Sequence, residues 1–121
     1  PVLLRILVQN LLDNAIKYSA SAEQPRVRLF RQELDGHRWL VCEDNGMGFG
    51  EEGTDQLFEP FHRQANARGV QGTGIGLATV RLIVERHRGI VRAGPGSRGG
   101  ARFMVWLPDD AGARADDPVR G

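Results

Sequence analysis

The stretch NLLDNAIKYS, residues 10–19, places polar groups at helical spacing in an otherwise apolar pattern. Asparagine is a poor helix former, because its amide competes for nearby backbone groups. At about 100° per residue, Asn10, Asp13, Asn14 and Lys17 nevertheless fall on one stripe. The opposite side carries apolar residues: Leu11, Leu12, Ala15 and Ile16. The pattern indicates either an ordinary wet face or a stripe selected for chemistry.

Magnesium bound to a polyphosphate is a ligand that suits this stripe. Mg²⁺ takes oxygen ligands, keeps several waters and uses few protein groups beside phosphates. Since a polyphosphate already carries negative charge, a neutral amide carbonyl can ligate the metal without adding repulsion. The ammonium group of Lys17 would neutralise phosphate as a point charge. The stripe therefore predicts a Mg²⁺–nucleotide site.

Asp44 ends an apolar stretch and is followed by NGMG. A carboxylate there is an acceptor suited to an exocyclic amine such as that of adenine. Gly46 and Gly48 would let a ligand approach the backbone closely. The alternative is that Asp-Asn-Gly simply builds a turn.

The glycine-rich run GTGIGL, residues 72–77, leads into a predicted helix, where free backbone N–H groups favour phosphate. It is not a Walker A loop, because no Gly-Lys-Ser/Thr follows. Nor is it a dinucleotide fingerprint, because Leu77 stands where the third glycine should be. Such a run alone is a weak signal. Arg63 and Arg68 precede it, where a cation could reach terminal phosphates, although arginines in polar loops more often serve solubility.

The elements that would position these residues alternate between helices and hairpins. Helical periodicity covers residues 1–18 and 76–87. Strand patterns cover RVRLFRQEL, WLVCED, IVRAG and ARFMVWL, with DGHR and PGSRGG as turns. The long connection at 50–73 is typical of a lid or binding loop. This order predicts an α+β two-layer sandwich, with helices on one face of a mixed, mostly antiparallel sheet.

Composition bounds the class of protein. The chain has 121 residues, is 40% hydrophobic and 26% charged, and carries a formal net charge of +1. These values are ordinary for one globular domain and give no electrostatic case for nucleic acid or an anionic membrane. The single cysteine, Cys42, is expected to be a buried small hydrophobe. Residues 109–121 are expected to form a polar tail or linker, and the abrupt start at Pro1 suggests a piece of a longer protein.

Four segments, in order, resemble the catalytic, ATP-binding domain of bacterial two-component sensor histidine kinases. NLLDNAIKYS resembles the asparagine box, DNGMGF the first glycine box, LFEPFHR the phenylalanine box and GTGIGL the second glycine box. That fold is shared with DNA gyrase B, the MutL repair proteins and the heat-shock chaperone ATPases. The resemblance implies a domain over residues 1–108, with ATP between the long helices under a long lid. It also implies that the family's N-terminal strand or strands are missing.

The resemblance further implies roles for individual residues. Asn14, and with it Asn10, would face Mg²⁺, while Lys17 would meet phosphate and Tyr18 would lie beside the nucleotide. Asp44 would accept the adenine amine. Further nucleotide contacts and lid anchors are implied at Gly46, Gly48, Phe58, Phe61, Gly72, Thr73, Gly74, Gly76 and Leu77.

The residue type at position 10 also distinguishes the chemistry of the different proteins that share this fold. Members that hydrolyse ATP, and the anti-sigma-factor serine kinases, carry a glutamate at this position, and a carboxylate can act as general base. An amide cannot, whereas a neutral imidazole acceptor needs no such help near pH 7. The resemblance therefore implies a histidine kinase that uses ATP and Mg²⁺. Its implied catalytic residues are Asn10, Lys17 and Arg63.

The implied partner is a dimerisation domain that carries the phosphoacceptor histidine and lies outside this chain. His37, His62 and His87 do not stand in the family's acceptor context. The parent protein is expected to be a homodimer that signals to a response regulator, without contact to nucleic acid. The domain is expected to be cytoplasmic, without direct membrane contact, either free or as part of a membrane-anchored sensor. The alternative is a catalytically degenerate ATP-sensing module of the same fold.

Overall fold

A computed structural model describes residues 2–20, 22–48, 58, 76–97 and 99–108. The elements, in chain order, are α1 Val2–Ser19, β1 Val27–Leu34, β2 His37–Asp44, α2 Gly76–Arg86, β3 Ile90–Pro95 and β4 Ala101–Trp106. Every element lies within about two residues of its predicted position.

Helix α1 packs along one apolar seam. Leu7, Leu11 and Ala15 recur at every fourth residue and are all buried, which is the spacing that aligns side chains on one face. Ile16, predicted on the same side, is instead 58% exposed. It lies one residue beyond the seam, about 100° around the helix from Ala15. The seam is therefore narrower than predicted, and the polar stripe flanks it.

The turn predicted over DGHR is shorter in the structure. Only Asp35 and Gly36 form it, with φ of 53° and 80°, because positive φ at both central residues matches the twist of a two-residue hairpin. Leu34 pairs with His37, and the register continues to Val27 opposite Asp44. The turn thus determines which residue ends β2, and that residue is Asp44.

The four described strands form one antiparallel sheet in the order β1-β2-β4-β3. One face packs on both helices in a core that includes Cys42, Phe103, Val105 and Val80. The predicted α+β sandwich with helices on one face of a mostly antiparallel sheet is confirmed. Cys42 is buried as predicted, with its Sγ 3.7 Å from the carbonyl oxygen of Leu11. Burial, helped by the nearby carboxylates, raises the pKa of that thiol to about 11.

A second apolar cluster lies on the opposite face of the sheet. Trp39, Val41, Ile90 and Trp106 are buried there. The Arg92 guanidinium lies over the Trp39 ring, 5.0 Å from its centroid, in a cation–π contact. The strand WLVCED is therefore apolar on both faces. It does not show the alternation of apolar and polar residues that is typical of a strand with one solvated face.

Helix α2 ends through a left-handed residue. Arg88 has φ of 58°, and the N–H of Gly89 donates to the carbonyl of Val84 at 2.8 Å. A Cβ at position 89 would meet the Trp106 carbonyl, so this glycine serves close packing. In the part of the chain that the structure describes, neither helix combines the length and hydropathy needed to cross a membrane.

Candidate nucleotide site

Asn10 lies against the first residue of α2. Its Oδ1 is 3.4 Å from where a Cβ at Gly76 would stand. The asparagine amide is therefore in van der Waals range of the start of α2, where the first backbone N–H groups have no partner within the helix. Residues far apart in the sequence, from the predicted metal stripe and the predicted phosphate run, meet at this point.

The rest of the polar stripe follows along α1. Asn14 is half-buried and Lys17 is exposed. No hydrogen bond joins the amide of Asn10 or Asn14 to another residue that the structure describes. By contrast, Gln9 Nε2 donates to Asp13 Oδ1 at 2.9 Å on the solvated side of the same helix. The two asparagine amides thus keep their oxygens available for a ligand, and they fit a cation that uses few protein oxygens.

Asp44 is held in a defined orientation at the end of β2. Its side chain is buried, at 5% exposure, and its Oδ1 accepts from the N–H of Gly46 at 2.9 Å. The backbone of Ala101 also favours the ionised carboxylate. Burial raises the pKa of the Asp44 carboxyl above its usual 3.8, and the two backbone hydrogen bonds offset part of that rise. An oriented, partly desolvated carboxylate is a selective acceptor.

Glycines bring Asp44 close to the end of α1. A Cβ at Gly46 would overlap the carbonyl of Tyr18, so the chain leaving β2 runs directly over the last turn of the helix. Gly48 has φ of 69°, a conformation that L side chains rarely adopt. The Asp44 carboxylate at the end of β2 and the polar stripe on α1 therefore belong to one candidate site.

Two site residues went unrecognised in the sequence. Gly100 has φ of 71°, and a Cβ there would overlap the carbonyl of Asp44. The backbone of Ala101, like that of Gly46, offsets part of the rise in the pKa of the Asp44 carboxyl. The pair of glycines in PGSRGG was interpreted only as a turn. The one usable signal was that consecutive glycines exceed what a simple turn requires.

Glu43 was also missed. It is buried at 5% exposure and accepts from Arg102 Nε at 2.8 Å and from the backbone N–H of Ser97 at 3.4 Å. Arg28 Nη1 lies 3.5 Å from its other oxygen. Arg28 and Arg102 are the cross-strand partners of Glu43 on its two neighbouring strands. The buried charge is thus paired, as buried charges must be.

A cleft of about 530 Å³ opens beside this ion cluster. Its lining residues are Ala22, Glu23, Gln24, Arg26, Arg28, Glu43, Asp44, Asn45 and Ser97. Asp44 belongs to it, but Asn10, Asn14 and Gly76 do not. The cleft therefore lies next to the predicted nucleotide site and is distinct from it.

The remaining predicted residues divide into two groups. Phe58 is 3% exposed and packs edge-on against Phe103, with ring centroids 6.1 Å apart, while Leu77 belongs to the main core. Five predicted site residues lie outside the described residues: Phe61, Arg63, Gly72, Thr73 and Gly74. Within residues 2–20, 22–48, 58, 76–97 and 99–108, no group of three or more His, Cys, Asp or Glu could hold a metal. A metal at the stripe would rest on amide and phosphate oxygens.

Replacing Asp44 with asparagine is expected to change how the stability of the ligand-free domain depends on pH. Because the pKa of Asp44 is raised above 3.8, the folded chain binds this proton more tightly than the unfolded chain. The free energy of unfolding therefore falls as pH rises from 3.8 through the raised pKa. Thermal unfolding of both proteins between about pH 3.5 and 7 measures the effect. The Tm of Asp44→Asn minus that of the parent should increase with pH, and a constant difference would contradict the desolvation of Asp44.

The chain matches a family model described as histidine kinase-, DNA gyrase B-, and HSP90-like ATPase over residues 1–111. Sensor histidine kinase CpxA of Escherichia coli strain K12 is 36% identical over 110 residues. That match covers 89% of this chain and 23% of CpxA. The chain therefore spans less than a quarter of the length of this curated relative.

Solved structures show the same likeness in three dimensions. A mycobacterial sensor histidine kinase, MprB, matches with a TM-score of 0.77 at 34% identity, over 88% of this chain and 72% of the MprB chain. Full-length ShkA in complex with AMPPNP matches with a TM-score of 0.70 at 27% identity, over 88% of this chain and 21% of the ShkA chain. The matched region thus includes most of the chain in both cases.

Proposed function

The chain belongs to the histidine kinase-, DNA gyrase B- and HSP90-like ATPase family, and from this premise we propose that it binds Mg²⁺–ATP and phosphorylates a histidine. The acceptor histidine lies on a separate dimerisation domain. The observation that carries the proposal is the contact between Asn10 and Gly76. This contact places an amide that makes no hydrogen bond to another described residue at the start of α2. AMPPNP, bound in the related ShkA, is an ATP analogue and supports a nucleotide ligand.

In this proposal the residues of α1 bind and orient the triphosphate. The amide oxygens of Asn14 and Asn10 would hold Mg²⁺, which when bound would neutralise phosphate charge. Lys17 adds a positive charge one turn on, and Tyr18 lies beside the nucleotide. The free N–H groups at the start of α2 favour the phosphates, with Gly72, Thr73, Gly74 and Gly76 as the bordering residues.

Asp44 selects the base in this proposal. Its carboxylate accepts the exocyclic amine of adenine, while the same position on guanine is a carbonyl oxygen that would be repelled. Gly46 and Gly48 keep the backbone close to the base. Phe58 and Phe61 anchor the lid, and Leu77 lines the inner end of the site.

Phosphoryl transfer then requires positioning and charge stabilisation more than covalent chemistry by this domain. A nitrogen of the acceptor imidazole forms a bond to the γ-phosphorus as the bond to the bridging oxygen breaks, and ADP leaves. Arg63 stabilises the moving phosphoryl group. Asn10 supplies no general base, so water and hydroxyl groups are poor competitors for the phosphoryl group.

The histidines of this chain are not the proposed acceptors. His37 packs edge-on against Trp106, with ring centroids 5.9 Å apart. His87 Nδ1 lies 2.8 Å from the carbonyl oxygen of Ile83 at the end of α2. His62 lies outside the described residues. The acceptor must come from another part of the parent protein.

Incubation with γ-labelled ATP and Mg²⁺ tests this assignment. The isolated chain is expected to bind ATP but to form essentially no phosphohistidine, because its acceptor is elsewhere. Addition of the parent's dimerisation domain in trans should produce acid-labile phosphohistidine on that domain. Robust label on this chain alone would overturn the proposal. Steady phosphate release without an acceptor would indicate an ATPase, and ATP binding without any transfer in trans would indicate a degenerate ATP-sensing module.

We further propose the setting of this domain. The kinase unit covers residues 1–108, and residues 109–121, which lie outside the described residues, form a polar tail or linker. The parent protein is a homodimer that passes the phosphoryl group to a response regulator, and this domain lies in the cytoplasm.

A further inference from the structure

The end of β2 is attached to three separate parts of the chain by three consecutive residues. Asp44 lies against Gly100, just before β4, where a Cβ would overlap the Asp44 carbonyl. Gly46 lies against the Tyr18 carbonyl at the end of α1. Between them, the side chain of Asn45 reaches the segment that connects α1 to β1. A displacement of Asn45 would therefore also displace Asp44 and Gly46, its neighbours in the proposed base site.

Asn45 makes two opposite hydrogen bonds to that segment. Its Oδ1 accepts from the N–H of Arg26 at 2.8 Å, and its Nδ2 donates to the carbonyl of Gln24 at 2.8 Å. Its own N–H donates to the carbonyl of Arg26 at 3.3 Å. Only a side-chain amide carries an acceptor and a donor in this arrangement.

These bonds differ from those of a local turn. An Asx turn joins the side chain to a backbone group about two residues on. Asn45 instead bonds residues that precede it by 19 and 21 positions. The ladder between β1 and β2 ends with the pair Val27 and Asp44, and the Asn45 side chain extends the attachment beyond that last pair. Without it, Asp44 would end a fraying strand.

We propose that Asn45 is a positioning residue that gives the site its selectivity for adenine. The clamp on Gln24 and Arg26 keeps the end of β2 in place, so that the Asp44 carboxylate points at the base amine. Asn45 itself touches neither the base nor the phosphates. This inference rests on the proposed function, since it assumes that Asp44 accepts the adenine amine.

Affinities for Mg²⁺–ATP, Mg²⁺–GTP and Mg²⁺–tripolyphosphate test the inference by calorimetry. Asn45→Ala should weaken ATP binding by about 5- to 150-fold, the worth of two neutral hydrogen bonds. Tripolyphosphate affinity should not change, and the ratio of ATP to GTP affinity should shrink. Asn45→Asp keeps the acceptor for Arg26 but opposes an oxygen to the Gln24 carbonyl, so it should show a loss of the same kind. It also supplies the test if Asn45→Ala does not fold.

Gln24→Ala is the matched control, because it removes an exposed amide from the same segment and leaves the backbone carbonyl that Asn45 uses. It should bind all three ligands as the parent does. An unchanged ATP to GTP ratio in both Asn45 variants would overturn the inference. An equal loss for all three ligands would overturn it as well, since a general structural effect would then explain the data. A parent protein without preference for ATP over GTP would instead contradict the proposed role of Asp44.

Discussion

Replacing Asp44 with alanine is expected to weaken ATP binding by about 1.5–3 kcal/mol, the worth of one hydrogen bond to a charged group. This corresponds to about a 10- to 150-fold rise in Kd. The loss follows from geometry, because Asp44 is buried and the N–H of Gly46 fixes its carboxylate at the end of β2. GTP binding should not weaken, since guanine has a carbonyl oxygen at the equivalent position, which the carboxylate repels.

Calorimetric titration of both proteins with Mg²⁺–ATP and Mg²⁺–GTP measures this effect. GTP provides the internal control, because a variant that misfolds loses affinity for both nucleotides. The parent should prefer ATP, and Asp44→Ala should bind the two nucleotides alike. Equal affinity of the parent for ATP and GTP would contradict the role given to Asp44.

Replacing Asn14 with alanine is expected to abolish most of the Mg²⁺ dependence of ATP binding. Loss of groups that only support a metal ligand already costs about 10- to 100-fold in metal affinity, so loss of a direct ligand should cost at least about tenfold. Asn14 is half-buried on the face of α1 that borders the site, and its amide makes no hydrogen bond to the described part of the chain. Its removal should therefore leave the fold intact.

Titrations of Mg²⁺ at fixed ATP distinguish a metal ligand from a merely polar surface residue. Gln9→Ala is the matched control, because it removes an amide from the same helix where that amide bonds Asp13. The control should retain the Mg²⁺ response of the parent, whereas Asn14→Ala should show a weak response. Superimposable titrations of the parent and Asn14→Ala would show that the stripe does not hold the metal.

Local patterns predicted the elements of this fold, because the physics that forms them is local. Helical spacing located α1 and α2, and the Asp35–Gly36 pair located the hairpin whose register makes Asp44 the last residue of β2. The candidate site residues on α1 could be proposed from the sequence because two asparagines are unfavourable in a helix and indicate a function.

The parts that went unpredicted depend on contacts between distant residues. Glu43 is a buried charge only because Arg28 and Arg102 become its cross-strand neighbours. Ala101 affects the Asp44 carboxylate through its backbone, and the residue type in the sequence does not reveal such a role. Trp39 and its cluster pack on the sheet face opposite the helices, and a strand that is apolar on both faces does not reveal which side chains meet the helices.

Four sequence motifs identify the family, and the structure adds how the predicted groups are positioned relative to one another. Asn10 meets the start of α2 at Gly76, while Gly46 lies on the carbonyl of Tyr18. These two contacts join the predicted boxes into one site. At Gly46 this approach requires glycine, because a Cβ there would overlap the Tyr18 carbonyl.

A crystal structure of this chain with Mg²⁺ and a non-hydrolysable ATP analogue tests whether the amide stripe of α1 binds the magnesium-bound triphosphate while Asp44 binds adenine. We expect an Asn14 oxygen about 2.0–2.1 Å from the metal, and the adenine amine within hydrogen-bonding distance of the Asp44 carboxylate. A nucleotide bound instead in the cleft between Asn45 and Ser97, or a metal that α1 does not touch, would contradict it.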